Sequence, residues 1–193
     1  MRKSLKVRVL SILLTCSIAG CGWKVIPPVL PEQPISPHSV AERVVLTVND
    51  RAVVWGGGQL GQIVADVLLS KGTFKEIEYP VESRNPPDLR LVINANGRVN
   101  EEVGPGIVKG IIIGCLLFLP VGLIRFDKTF ELDTEVVLLK AGKKLRQFNI
   151  KSKTGISHTL FSAVEEYEAA ARQAAFKDLG ERIAAELDMV RLD

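Results

Sequence analysis

The sequence predicts an α+β domain: a mostly antiparallel sheet of four to five strands, two helices packed on one face, and an apolar insert. Three observations predict it. Two segments alternate with a period of two. Leu89, Leu91, Ile93 and Ala95 oppose Arg90, Asn94 and Asn96, and Phe130, Leu132, Thr134, Val136 and Leu138 alternate with Glu131, Asp133 and Glu135. Such alternation suits a sheet with one covered face and one wet face. Two other segments carry apolar residues at helical spacing: Leu60, Ile63, Val64, Val67 and Leu68, then Leu160, Val164, Tyr167, Ala171, Ala174, Leu179, Ile183 and Leu187. Finally, residues 110–124 contain no charged side chain. The order strand, helix, strand, strand, insert, strand, strand, helix gives the class.

The folded part begins near Arg43. Val44–Val48 is rich in β-branched residues and reads as a strand, with Asn49-Asp50 as a turn and Val53–Trp55 extending or restarting it. Gly56-Gly57-Gly58 precedes the first helix. No Lys-Ser or Lys-Thr follows at the spacing of a phosphate-binding loop, so the triplet reads as a tight entry turn. Gly72, after Lys71, ends that helix. Phe74–Tyr79 is a short strand, closed by Pro80 and the loop Asn85-Pro86-Pro87-Asp88.

The insert spans 106–126. Lys109 and Arg125 bracket its uncharged run of 15 residues. As helix that run is about 23 Å long, short of the roughly 30 Å hydrocarbon core, and Pro120 would break it midway. A membrane span is therefore not expected. Gly106, Gly110 and Gly114 recur every four residues, a small-residue stripe on a helix. Three readings remain open: a buried core piece, a membrane or lipid contact, and a protein contact. The mixed expectation is that Ile111 to Leu116 packs on the domain while Leu117, Phe118, Leu119, Pro120 and Val121 form an apolar contact tip. Cys115 reads as a small apolar residue.

A hairpin follows, with Ala141-Gly142-Lys143-Lys144 as its turn and Leu145–Ile150 as its return. Between Lys140 and Lys153 lie six basic residues and no acidic one. Lys143, Lys144 and Arg146 are candidate anion contacts for lipid headgroups or phosphates. The plainer reading is a charged edge that resists unwanted strand pairing. The last helix covers about Leu160–Leu187, with Ser157 or Thr159 as its cap and Gly180 interrupting its stripe at a cost of about 1 kcal/mol.

The N-terminus decides location. Arg2, Lys3, Lys6 and Arg8 form a basic n-region, Val9–Ile18 a short apolar run, and Ile18-Ala19-Gly20-Cys21 a cleavage site. This resembles the lipobox of bacterial lipoproteins. The resemblance implies a removed signal peptide over 1–20, cleavage between Gly20 and Cys21, and a lipidated Cys21 as anchor. Gly22, where an aspartate would retain a lipoprotein in the inner membrane, implies the outer membrane facing the periplasm. Residues 21–41 read as the anchor plus a proline-rich tether. Pro28, Pro31, Pro34 and Pro37 recur every third residue, as on a polyproline rod holding the domain roughly 30 Å from the surface. Residues 42–193 are the α+β domain.

Composition removes several function classes. Of 25 basic residues four lie in the leader, so 21 face 22 acidic ones in the mature chain, and nothing in that balance points to nucleic acid. Cys115 has no internal partner for a disulfide once Cys16 leaves and Cys21 is lipidated. His38 and His158 form no metal-ligand pattern, and there is no nucleophile elbow. Glu101 and Glu102 are neighbours whose side chains diverge on a strand. No cofactor, metal or catalytic residue is expected. The element order and Cys21-Gly22-Trp23 also resemble the lipopolysaccharide-assembly lipoproteins and similar small envelope accessory lipoproteins, from which the insert departs. What this implies is a lipid-anchored, non-enzymatic accessory protein that binds an envelope protein partner in assembly or transport. The alternative is a lipid or glycolipid carrier.

Overall fold

The computed structural model describes residues 24–26, 40–81, 87–101, 103–115, 124–159 and 164–188. Its elements are β1 (Lys24–Ile26), β2 (Val40–Val53), α1 (Leu60–Ser70), β3 (Phe74–Glu78), β4 (Leu89–Glu101), α2 (Val103–Cys115), β5 (Phe126–Lys140), β6 (Lys143–His158) and α3 (Val164–Asp188). The strand order is β1-β6-β5-β4-β2-β3.

The sheet is mixed, which corrects the expectation of a mostly antiparallel one. β2 runs parallel to both its neighbours: Val44 pairs with Leu89 of β4 and with Ile77 of β3. Alternation within a strand reports which face is covered but not which way the neighbour runs. The direction comes from the connections, and the helix between β2 and β3 supplies the crossover that a parallel pair needs. Elsewhere the pairing is antiparallel. Ala141 (φ 47°) and Gly142 (φ 78°) make a two-residue turn between β5 and β6. Along β4 and β5, Asn94 meets Glu135 and Glu101 meets Lys128, so positions rise on one strand as they fall on the other. β1 is antiparallel to β6, with Lys24 opposite Ser157.

The helix count also changes, from two to three among the described residues, because the first part of the insert is the helix α2. Its 13 residues are about 20 Å long. Among the described residues no helix is long and apolar enough to cross a membrane. Ser157 belongs to β6 rather than to a helix cap, and α3 is described from Val164. A strand of the sheet, β1, precedes the proline-rich stretch that the sequence reading treats as a free tether.

The chain divides into two compact units. The larger comprises 27–99, 130–154 and 172–193. Its core joins Leu46, Leu91, Ile93, Val136 and Leu138 from the strands to Leu60, Val64 and Leu68 of α1 and Phe176, Leu179, Ile183 and Leu187 of α3. Full burial of each such side chain is worth about 1.5–3 kcal/mol. Trp55 stacks on Phe176 (5.3 Å between ring centroids) and meets Phe130 edge-on (5.4 Å). Gly180 lets the two helices touch, because a Cβ there would lie 2.9 Å from Cβ of Val67. The glycine that costs helix propensity is thus the residue that permits this packing. The smaller unit comprises 1–26, 100–129 and 155–171. It holds β1, the ends of β4 and β6, α2, the start of β5 and the first turns of α3.

Candidate functional site

Of the residues singled out from sequence, Gly20, Cys21 and Leu117–Val121 lie outside the described residues. Lys143, Lys144 and Arg146 are described; Lys143 is exposed at the start of β6, and the structure gives Lys144 and Arg146 acceptors. Arg146 donates from Nη2 to Oε2 of Glu186 (3.1 Å) and from Nη1 to the carbonyl of Glu186 (2.9 Å), and lies over the ring of Phe148. Lys144 donates to Gln147 (2.7 Å), which itself donates to Glu135. Further along, Lys151 faces Asp133 (3.9 Å) and Lys153 faces Glu131 (3.1 Å). These bases and acids line one shallow cleft with Asn96 and Arg98. The basic run of β6 is therefore matched by the acidic run of β5 across the ladder, a pairing of opposite charges that stabilises a sheet modestly. The sequence shows both runs, but the hairpin register decides that they meet.

Asp178 anchors α3 to β6 inside the larger unit. It is buried, accepts from Oγ of Ser152 (2.5 Å), and is paired four residues on with Nε of Arg182 (2.9 Å). Every partner is polar and local to the core, so this is a structural brace.

The smaller unit carries two features of a different kind. The first is an ion cluster. Lys128 lies 2.8 Å from Oε1 of Glu101 and 2.7 Å from Oε1 of Glu168. Partial burial opposes the charge on Lys128 and is the largest single influence. The hydrogen bonds and charges of the two glutamates together outweigh it, and its pKa is raised. The hydrogen bond from Lys128, then its charge, lowers the pKa of Glu101. Three residues at positions 101, 128 and 168 cannot be associated from sequence spacing, and no local signal would have found them.

The second is the outer face of α2. Ile107 is 61% exposed, Val108 56%, Ile111 59% and Ile112 42%. The expected packing of the segment from Ile111 onward does not hold for Ile111 and Ile112, which are open to solvent. At 100° per residue these four side chains cover an arc of about 140°. Lys109 points elsewhere, with Nζ 5.7 Å from the ring centroid of Phe126. Phe126 in turn stacks on His158 at 5.9 Å. The helix therefore directs Lys109 toward Phe126 of β5 and leaves its aliphatic side open to solvent. Sequence reasoning found the apolar run but assigned its exposed part further along, because hydropathy does not reveal which side of a helix meets the sheet. Among the described residues no group of three or more His, Cys, Asp or Glu side chains is placed to hold a metal.

No family model matches the chain, and no curated protein matches it. Solved structures do. A minor lipoprotein from Acinetobacter baumannii superposes with a TM-score of 0.52 at 10% identity, over 78% of this chain and 93% of that one. An uncharacterized lipoprotein B from Nitrosomonas europaea gives 0.41 at 13% identity, over 82% and 90%. The rare lipoprotein B from Shewanella oneidensis gives 0.38 at 12% identity, over 77% and 98%. The likeness to the first is one of fold: the chain shares its architecture with a bacterial lipoprotein.

Proposed function

We propose that the mature protein is a lipoprotein of the cell envelope, anchored through Cys21 and facing the periplasm from the outer membrane. In this reading it is a non-enzymatic accessory protein that binds an envelope protein partner. The observation that carries the anchor is Ile18-Ala19-Gly20-Cys21 behind a basic, apolar leader. The shared fold with a bacterial lipoprotein supports the same class. The accessory role rests on the character of the folded part. Buried Asp178 serves as a brace, and the charges of Lys151 and Lys153 on β6 are matched by Asp133 and Glu131 on β5, which suits this part of the sheet to a structural role. The test is metabolic labelling with palmitate in the native envelope, with mass spectrometry of the mature N-terminus. Label on the wild type, none on Cys21→Ser, and a diacylglyceryl-modified peptide beginning at Cys21 are expected. An unmodified N-terminus at another residue refutes the anchor.

A further inference from the structure

We infer that the aliphatic face of α2, formed by Ile107, Val108, Ile111 and Ile112, is a bilayer-contacting surface that lies in the headgroup boundary of the membrane holding the anchor. The inference rests on the lipidation reading for its choice of occupant. Three observations within the smaller unit carry it. The face is apolar and open, with four adjacent aliphatic side chains between 42% and 61% exposed. A helix of 13 residues is too short to span a bilayer of about 30 Å, but a short apolar helix with one open aliphatic face can lie in its surface. The chain then limits where the membrane can be. Lys24 is pinned to Ser157 by strand pairing, and only Gly22 and Trp23 separate it from Cys21, so three Cα-to-Cα steps keep the anchor residue within about 11 Å of Lys24. Next to Ser157, His158 stacks on Phe126, over which Lys109 of α2 is placed. Anchor, strand end and helix are thus tied in one compact unit, and the lipid cannot enter a membrane without bringing that unit to its surface.

The charges fit the same occupant. Exposed Arg125, after the uncharged run 110–124, suits anionic headgroups, with Asp127 the nearby acid in sequence. A diacylglyceryl anchor already supplies two acyl chains, so the α2 face would orient the anchored unit against the bilayer rather than supply its attachment.

The experiment uses the full-length lipoprotein, purified in detergent and reconstituted in vesicles of phosphatidylethanolamine and phosphatidylglycerol at about three to one. An environment-sensitive fluorophore is placed at Ile111→Cys in a Cys115→Ala background. Lipids brominated near the headgroup should quench it. In parallel, unlipidated full-length Cys21→Ser protein is tested for vesicle flotation with and without Ile107→Asn and Ile111→Asn. Both positions are exposed, so thermal melting should be unchanged, and flotation should fall by about tenfold or more. A lipidated protein whose label is not quenched overturns the bilayer contact and leaves the anchor standing. A quenched label on protein that carries no lipid supports the face and defeats the anchor. A blue-shifted label without bromolipid quenching means that a protein surface covers α2, and also overturns the proposal.

Discussion

Gly180→Ala sets two known effects against each other at one atom. In an exposed helix interior the change would stabilise by about 1 kcal/mol, the propensity difference between glycine and alanine. Here the added Cβ would stand 2.9 Å from Cβ of Val67, 3.0 Å from its Cγ1 and 3.4 Å from its Cγ2. Valine in a helix holds one strongly preferred rotamer, so its methyls cannot swing aside. The helices α1 and α3 must separate instead, and overpacking of this sort costs about 1–3 kcal/mol. The expected net effect is a loss of up to about 2 kcal/mol, or a few degrees in Tm for a domain of this size. Val67→Ala alone should cost about 2 kcal/mol for two lost methyl groups. Together the two should be less damaging than their sum by about 1 kcal/mol, because Val67→Ala removes the γ-carbons that the new methyl meets. Urea denaturation of the four proteins gives the coupling. A Gly180→Ala protein stabilised by the full propensity gain, with additive behaviour against Val67→Ala, would refute the close approach of the helices.

Asp178→Ala should cost about 2–3 kcal/mol, since it removes a buried carboxylate that accepts from both Ser152 and Arg182; equilibrium unfolding measures it, and Asp178→Glu should not restore the geometry. The Lys128 cluster gives a pH signature. The pKa of Glu101 is depressed, so its stabilisation is present above the ordinary value of 4.5 and is lost as pH falls through the lower folded value. The pKa of Lys128 is raised, so its contribution is complete below 10.5 and is lost as pH rises through the higher folded value. Lys128→Met should therefore flatten both flanks of the Tm-against-pH curve relative to wild type, and unchanged flanks would show that the cluster adds no stability.

Much of this fold was legible where periodicity is long and regular. The alternation from Leu89 to Ala95 gives the buried side of β4, and Leu60 to Leu68 gives the core face of α1. The hairpin turn at Ala141-Gly142 lies where its glycine and flanking alternation place it. What the sequence could not supply is pairing at a distance. The parallel placement of β2 between β3 and β4 is set by pairings distant in sequence, and no residue in β2 records its neighbour's direction. The helix in the insert was obscured by its glycines and by a run so largely apolar that the sequence does not say which face is covered. The small-residue spacing of Gly106, Gly110 and Gly114 drew the sequence reading toward close approach by another surface, while the exposed aliphatic face became visible only with the helix in place. Ile107, Val108, Ile111 and Ile112, the residues of the proposed contact face, were within the segment of interest but not within the tip expected of it.

The pairing of β1 with β6 has a consequence for how the protein is made. Lys24 meets Ser157 across more than a hundred residues of intervening chain, so the outer edge of the sheet cannot close until almost the whole polypeptide is available. Contacts so distant in sequence form late, because the loop-closure entropy must be met before the pairing contributes. During export through a translocation channel, N-terminus first, the opening segment would emerge long before its partner. For that interval the end of the chain is bound to the rest by covalent linkage alone. On the proposed anchoring, leader cleavage and acylation at Cys21 would therefore precede the withdrawal of β1 into the sheet. Edge closure comes last because the three-residue β1 must wait for the far end of β6.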